Sequence, residues 1–272
     1  MARHVALFRL SSILFAASLL VGCNLPTNLL PTLTALPEPA EKPRSDWLAL
    51  ADGLQWRKLL PDGDELAQMI VVRINPQKYR FRAIYRPGQP LSLSGWRKLE
   101  ADANLIVNAN FFDTAYKALG LVVSDGASHG SAYRDRGGTF LIRNGEAAVV
   151  ASRADSLQSK EEIEQAVQGF PLLVEQGRQA YFSTTGGERT RRTLIGIDKN
   201  GNLLIIVAPF LGLPLADLSA YLPKTDLDID TAINLDGGGS TMIAIPGADY
   251  HLPSLDPVPA ILAIYPRSTG WQ

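Results

Sequence analysis

The chain has 272 residues, of which 26 are Lys or Arg and 27 are Asp or Glu, so its formal net charge is −1 at pH 7. A nearly neutral chain is a poor binder of nucleic acid, because that affinity comes from neutralising phosphates with cationic side chains. With 46% hydrophobic residues and one cysteine, the chain can bury a sizeable core but can form no intramolecular disulfide and no cysteine-based metal site.

The first 22 residues have the pattern of an export signal, in which Arg3 and Arg9 precede the apolar run Leu10–Val21. That run is too short to span a membrane in the folded protein. It ends in Leu-Val-Gly directly before Cys23, a string that resembles the bacterial lipobox, in which the cysteine becomes the lipidated first residue. We therefore expect Cys23 to anchor the exported protein in the membrane of the cell envelope. Asn24, in place of the aspartate that retains lipoproteins in the inner membrane, favours the outer membrane if the source has one.

A proline-rich stretch follows the anchor, with five prolines between residues 23 and 44. This composition is typical of a semi-extended linker, and we predict a tether here. The folded domain is then expected over residues 45–272. Without the signal the chain keeps 24 cationic residues against 27 acidic ones, a formal net charge of −3, so no nucleic-acid partner is expected.

The domain has the pattern of a strand-rich protein. Lys78–Arg86 alternates apolar and polar residues, as in a half-buried strand. Apolar runs flank the dipeptides Asn144-Gly145 and Asn200-Gly201, and this arrangement predicts two hairpins with tight turns.

Three short helices are predicted. Apolar residues at helical spacing indicate helices over Ser92–Ala103 and near Leu215–Leu222. A capping box that pairs Ser159 with Glu162 predicts a third helix, ending at about Gln168.

The stretch Ala232–Ile245 has the strongest pattern of a functional site. An apolar run enters, Gly237–Gly239 turns the chain, and an apolar run leaves. Three successive glycines cost backbone entropy, and they suit a backbone that needs positive φ or a close approach to another group. Consecutive N–H groups in such a turn can bind an anion, and Asp236 places a carboxylate just before them. The alternative interpretation is a glycine-rich hairpin with solvated polar residues.

A second polar cluster follows the buried strand that begins at Leu105. Asn108 and Asn110 are two residues apart and so point to the same side, and Asp113 lies in the turn that follows. Asparagine offers both a donor and an acceptor, which suits sugar hydroxyls. It equally suits the closure of a turn, and the pattern does not decide between the two roles.

Several familiar sites are excluded by the residues present. The glycine turn lacks the glycine of a nucleophile elbow and the lysine of a P-loop, and Met242 stands where a dinucleotide fingerprint needs a small residue. After removal of the signal only His129 and His251 remain, too few for a usual zinc site. The Asp226-x-Asp228-x-Asp230 triplet lacks the glycine and glutamate of a calcium loop. We therefore expect neither a metal nor a cofactor.

Five short strings occur together in an order that resembles the phosphodiester glycosidase family. They are Asn110-Phe111-Phe112, Ser124-Asp125-Gly126, Gly169-x-Pro171-x-Leu173-Val174, Arg192-Thr193-x-x-Gly196-Ile197 and Asn234-Leu235-Asp236-Gly237-Gly238-Gly239-Ser240. One departure is Ala109, where the family usually has glycine. The resemblance implies cleavage of a sugar from a sugar-1-phosphodiester. It also implies an α+β fold of mixed, largely antiparallel β-sheets with a few short helices packed on them.

Such a substrate brings an anion and a glycosidic bond, and the residues can be given roles on that basis. The anion needs oriented donors, which the Gly237, Gly238 and Gly239 amides, the Ser240 hydroxyl and the planar fork of Arg192 would supply. Breaking the glycosidic bond builds oxocarbenium character, so a carboxylate must face the anomeric carbon, and Asp236 is the candidate. For activation of water the candidates are Asp113 and Glu188. The sugar hydroxyls would be held by Asn108, Asn110 and Asn234.

Two other classes of function remain open at this stage. A non-catalytic envelope lipoprotein that binds glycans would keep a cleft but need no activated carboxylate. A phosphodiesterase or phosphatase would normally need metal ligands, which the sequence does not offer in a recognisable pattern. In each case the expected partners are a sugar phosphodiester or another glycan and, through the lipid, a membrane.

Overall fold

The computed structural model describes residues 47–134, 136–153 and 162–267. The predicted export signal, Cys23 and the tether lie outside these residues. The first nine strands are β1 (Leu48–Ala51), β2 (Leu54–Leu59), β3 (Met69–Ile74), β4 (Tyr79–Tyr85), β5 (Leu105–Asn108), β6 (Val122–Ser124), β7 (Ala127–His129), β8 (Gly138–Arg143) and β9 (Glu146–Ala151). The next nine are β10 (Ile163–Gly169), β11 (Leu172–Glu175), β12 (Arg178–Gln179), β13 (Thr190–Asp198), β14 (Leu203–Gly212), β15 (Ile229–Asn234), β16 (Ile243–Ile245), β17 (Tyr250–Leu252) and β18 (Ala260–Pro266).

These strands form three sheets, of eight, five and five strands. The first sheet has the order β1-β2-β3-β14-β13-β15-β11-β12, the second β7-β6-β10-β8-β9 and the third β17-β16-β5-β18-β4. Every pairing between these strands is antiparallel. The α-helices of the described residues are α1 (Leu93–Leu99) and α2 (Leu215–Tyr221), of seven residues each. The predicted largely antiparallel sheets with a few short helices are therefore confirmed, and the α+β class is narrowed to a fold dominated by β-structure.

One hydrophobic core is shared by the three sheets. It includes residues from the first, second and third sheets, such as Ile195, Val207, Phe140, Val167 and Leu262. The central strands of the first sheet are buried on both faces, because alternate residues pack into a second cluster with α2, which includes Leu194, Leu204, Ile206 and Leu218. Burial on both faces explains why these strands read as continuous apolar runs.

Both short helices predicted near residues 92–103 and 215–222 are confirmed, in shorter form. Ser92 caps α1, since its hydroxyl accepts the Gly95 N–H at 3.4 Å. Trp96 anchors this helix: its side chain is fully buried, and its indole N–H donates to the Val258 carbonyl at 3.1 Å. The hairpins β8–β9 and β13–β14 form at the predicted turns.

The third predicted helix is wrong. Residues Ile163–Gly169 form β10, the central strand of the second sheet, and Ser159 of the proposed capping box lies outside the described residues. Ala166 and Val167 are both buried and belong to different clusters, so this stretch packs on two faces as a strand does. Pairing with β6 and β8 on both sides outweighs the local helix signal.

Within the part of the chain that the structure describes, no helix has the length and apolar character needed to cross a bilayer.

Candidate functional site

The glycine turn joins β15 of the first sheet to β16 of the third, so it crosses between two layers of the fold. Backbone hydrogen bonds fasten it on both sides. The Leu235 N–H donates to the Thr193 carbonyl of β13 at 2.8 Å, and the Asp236 N–H donates to the Ala109 carbonyl, just after β5, at 3.1 Å. Ala109 is buried, and its small side chain allows this backbone bond.

Asn108 is the hub that holds the turn in place. Its side-chain N–H donates to the Asp236 carbonyl at 2.6 Å, and its Oδ1 accepts the Thr193 hydroxyl at 2.7 Å and the Met242 N–H at 3.0 Å. The side chain is buried and its oxygen already has two donors. Asn108 therefore positions the turn, and its three hydrogen bonds within the protein do not favour the predicted role in holding a sugar hydroxyl.

The Asp236 side chain is a half-buried carboxylate at the start of the turn. Its Oδ1 accepts the Gly237 N–H at 2.8 Å. Burial raises the pKa of Asp236 from 3.8 to about 6, while hydrogen bonds from the Ser240 hydroxyl and the Gly237 N–H act against that rise. The carboxylate of Asp256 raises this pKa further through charge repulsion. A carboxyl with a pKa near neutrality, held at a turn, has the properties of a catalytic acid or base.

The turn binds its own carboxylate. Gly238 has φ +56, a left-handed conformation that glycine adopts at no steric cost, and the chain continues into a 3-10 turn over Gly238–Ser240. The Ser240 N–H donates to the Gly237 carbonyl, and the Ser240 hydroxyl bonds the Asp236 carboxyl. One N–H of the predicted nest, that of Gly237, and the Ser240 hydroxyl are therefore taken up by the Asp236 carboxyl. This geometry does not favour the predicted phosphate site on the Gly237–Gly239 amides and the Ser240 hydroxyl.

A second carboxylate against the turn was missed in the sequence. Both Leu255 and Asp256 donate their backbone N–H to the Gly239 carbonyl, at 2.7 and 3.1 Å. A Cβ added to Gly239 would lie 2.0 Å from Oδ2 of Asp256, so glycine is needed there for the carboxylate to sit against the backbone. Asp256 is exposed. No local pattern marks it, because it stands alone in a loop after β17.

Of the two adjacent arginines on β13, Arg191 contacts the loops around the turn. It shares a strand face with Thr193, and its guanidinium donates to the carbonyls of Thr241 (2.6 Å) and Pro253 (2.8 Å). Arg192 projects from the opposite face, and its guanidinium donates to the Glu188 carbonyl at 2.7 Å. Burial lowers the pKa of Arg192. The predicted bidentate contact of Arg192 with phosphate would require this guanidinium to leave the Glu188 carbonyl.

The two carboxylates predicted to activate water, those of Asp113 and Glu188, have no recorded contact with the glycine turn among the described residues. Oδ1 of Asp113 accepts the backbone N–H groups of Ala115 and Lys117, at 2.9 and 2.8 Å, so it closes its own turn. Glu188 lies on an exposed loop, and its backbone carbonyl accepts Arg192. Neither of these carboxylates affects Asp236 as Asp256 does: the charge of Asp256 raises the pKa of Asp236.

Asn110 and Asn234 clamp the bend between β10 and β11. The Asn110 amide donates to the carbonyls of Leu121 (2.9 Å) and Gln168 (3.2 Å), and the Asn234 amide donates to the Phe170 carbonyl (2.9 Å). These asparagines are 2% and 4% exposed, and their Oδ1 atoms are sealed from solvent. In this conformation the two amides hold backbone carbonyls, and the role predicted for these asparagines in binding sugar hydroxyls stays a prediction.

Among the described residues, no group of three or more His, Cys, Asp or Glu side chains is arranged to hold a metal ion. Two carboxylates, Asp236 and Asp256, lie at the glycine turn. Carboxylates can transfer protons and stabilise positive charge, so these are the reactions that the site can support.

The sequence profile described as phosphodiester glycosidase matches residues 101–265, and this chain belongs to that family. The chain is 25% identical over 192 residues to the uncharacterized protein YigE of Escherichia coli K12, a match that covers 64% of this chain and 74% of that protein.

Solved structures resemble the fold. The catalytic domain of zebrafish N-acetylglucosamine-1-phosphodiester alpha-N-acetylglucosaminidase, auto-inhibited by its pro-peptide, superposes with a TM-score of 0.62 at 19% identity, over 84% of this chain and 86% of that one. A hypothetical protein from Synechocystis superposes with a TM-score of 0.55 at 16% identity, over 84% of this chain and 65% of that one. At these identities the likeness concerns the fold alone.

Proposed function

We propose that this protein is an envelope hydrolase that releases a sugar from a sugar-1-phosphodiester, with Asp236 facing the anomeric carbon. The observation that carries the proposal is the half-buried Asp236 carboxyl, whose pKa is raised to about 6 and which is bound by the glycine turn. Membership of the phosphodiester glycosidase family and the fold shared with the zebrafish enzyme support this class of reaction.

In the proposed reaction the bond between the anomeric carbon and the phosphate oxygen breaks, and its electron pair leaves with the phosphate. Phosphate is a good leaving group, so a strong general acid is not needed. Above pH 6 the ionised Asp236 stabilises the positive charge that develops on the sugar. Water then adds to the anomeric carbon, and the exposed Asp256 carboxylate takes its proton, replacing Asp113 and Glu188 in that role. The products are a free sugar and a phosphomonoester.

The test is to incubate the domain from residue 45 onward with a panel of sugar-1-phosphodiesters, including an N-acetylglucosamine derivative, in water labelled with oxygen-18. We expect the label in the released sugar, because the carbon–oxygen bond is cleaved. Label in the phosphate would identify a phosphodiesterase instead. If no member of the panel is turned over although glycans bind, the protein is the non-catalytic glycan-binding lipoprotein.

The pH dependence gives a further expected result for a cleaved substrate. Since Asp236 must be ionised and its pKa is about 6, kcat/KM should be level above that pH and fall about tenfold per pH unit well below it. The measurement is a pH–rate profile, with protein stability followed over the same range as a control. A profile that stays level down to pH 4 would remove Asp236 from the mechanism.

The location proposed for this activity is the cell envelope, with a lipid on Cys23. The support is the Leu-Val-Gly-Cys string at the end of the apolar run. Expression of the full chain with Cys23→Ser should give an unprocessed or soluble protein, detected by membrane fractionation and by mass spectrometry of the N-terminus. A fully processed and membrane-retained Cys23→Ser protein would contradict the anchor.

A further inference from the structure

Arg191 is a half-buried arginine on β13 that has no ion pair among the described residues. Burial lowers the pKa of Arg191, because a guanidinium charge is less stable away from water. A desolvated charge without a counter-ion costs free energy unless hydrogen bonds compensate for it. The two hydrogen bonds that this guanidinium donates therefore show what Arg191 holds in place.

One of these bonds fixes the point where the chain leaves the glycine turn. The Arg191 guanidinium donates to the carbonyl of Thr241, the residue directly after the 3-10 turn, at 2.6 Å. The Arg191 backbone lies at the other end of the turn, since a Cβ added to Gly237 would be 2.9 Å from the Arg191 carbonyl oxygen. Arg191 therefore contacts the glycine turn at its entry and at its exit.

The other bond reaches the loop that carries Asp256. The same guanidinium nitrogen, Nη2, donates to the Pro253 carbonyl at 2.8 Å. Further along this loop, Leu255 and Asp256 donate their backbone N–H groups to the Gly239 carbonyl. The loop is therefore fastened to the turn directly at Gly239 and, through Arg191, at Pro253.

Little of this loop is buried, so its hydrogen bonds decide where it lies. Leu255 is 78% exposed, and Pro253 and Asp256 are exposed as well. The Asp256 carboxylate nevertheless lies close to the turn, because its Oδ2 is 2.0 Å from the position that a Cβ on Gly239 would take. A segment with so few buried apolar contacts opens readily when one of its attachments is removed.

The charge of Arg191 does not act on Asp236 directly. The charged group that affects the pKa of Asp236 is the carboxylate of Asp256, and among the described residues no cation does so. We propose that Arg191 is a positioning residue, which holds the loop of Asp256 against the glycine turn and so keeps the two carboxylates together. This inference rests on the proposed function, in which Asp236 stabilises the charged sugar and Asp256 takes the proton of water.

The first test is independent of turnover and follows the pKa of Asp236 in the full chain by carbon-13 NMR of its carboxyl group. Asp256→Asn should lower this pKa by about half a pH unit, because it removes a like charge. Arg191→Met should also lower it, because the loop of Asp256 then moves away from the turn. The double variant should titrate as Asp256→Asn does, since Arg191 acts through Asp256.

Three outcomes of this titration would overturn the inference. They are an unchanged pKa of Asp236 in Arg191→Met, a further lowering in the double variant, and a raised pKa in Arg191→Met, which would show that Arg191 acts by its positive charge. Arg189→Met is the matched control, because the Arg189 guanidinium also donates to a backbone carbonyl, that of Leu211 at 3.0 Å, and pairs with Asp64. It should titrate as wild type does.

Arg191→Lys keeps the charge but not the planar fork, so it should recover part of the loss seen in Arg191→Met. It also serves if Arg191→Met does not fold. In that case a pKa of Asp236 and a kcat that both equal the wild-type values in Arg191→Lys would overturn the inference.

The second test uses a phosphodiester that the wild-type protein cleaves. Arg191→Met should lower kcat about tenfold to a hundredfold with little change in KM, because it displaces a reacting group and leaves substrate contacts in place. In the Asp256→Asn background the same change should have little further effect. If the titration agrees but wild type cleaves nothing, the proposed function fails and the positioning role stands. If wild type cleaves the substrate and Arg191→Met keeps its kcat, the positioning role fails and the function stands.

Discussion

Asp236→Asn should lower kcat by about a hundredfold to ten-thousandfold and leave KM near its wild-type value, because it removes the charge and keeps the shape of the side chain. The amide oxygen can still accept the Gly237 N–H that Oδ1 accepts now. Steady-state kinetics on a cleaved phosphodiester checks this, with Asp249→Asn as a matched control at an exposed aspartate of the next loop. Near wild-type kcat in a folded Asp236→Asn protein would exclude the carboxylate from catalysis.

The same substitution should make the protein more stable at neutral pH. Because the pKa of Asp236 is raised from 3.8 in the unfolded chain to about 6 in the folded one, its contribution to stability is fully present below pH 3.8 and is lost as pH rises through 6. The shift corresponds to at most about 3 kcal/mol at pH 8, less what solvent screening removes. Thermal unfolding at pH 4 and pH 8 should show a gain for Asp236→Asn only at the higher pH. A loss of stability at pH 8 would mean that the charged carboxylate supports the fold.

Asn108→Leu should have the largest effect on stability, a loss of about 3 kcal/mol or more. The leucine leaves the Asp236 carbonyl, the Thr193 hydroxyl and the Met242 N–H without the partner that each has now. A buried polar group that loses its partner costs roughly 1–3 kcal/mol. Activity should fall as well, because the glycine turn loses the hydrogen bond from Asn108 to the Asp236 carbonyl.

Urea unfolding of Asn108→Leu beside Thr193→Val separates this network effect from the loss of a single bond. Thr193→Val removes one hydrogen bond and keeps the volume, so it should cost about 1 kcal/mol. If the two variants unfold at the same urea concentration, the three hydrogen bonds of Asn108 do not stabilise the fold more than the single Thr193 bond does.

Much of the fold could be predicted from periodicity and turn chemistry. Asn144-Gly145 and Asn200-Gly201 marked two hairpins, because these dipeptides adopt the backbone of tight turns at little cost. The helix predicted at the position of β10 was wrong for a physical reason. Its glutamines satisfy backbone groups of neighbouring segments, as when Gln165 Oε1 accepts the Ala83 N–H at 3.0 Å, and a local pattern cannot contain such partners.

The candidate site was predictable in part, for a similar reason. Asp236 stands inside one continuous string, so the glycine turn could be recognised and its carboxylate singled out. The partners of Asn110 and Asn234 are carbonyls on other strands, and no sequence pattern says whether an asparagine faces a ligand or a backbone. Asp256 reaches the glycine turn through tertiary contacts between separate loops, and local spacing carries no signal of them.

The position of the glycine turn between two sheets also bears on how the protein folds. The bond from Asn108 to the Asp236 carbonyl closes a loop of 128 residues, and it can form only when β5 and β15 are already in their own sheets. Contacts of such long sequence separation form slowly, because the entropy of loop closure must be overcome before they contribute. The site should therefore assemble at the end of folding, after most secondary structure has formed. Recovered activity then reports the completed docking of the sheets, a step that far-ultraviolet circular dichroism would not detect.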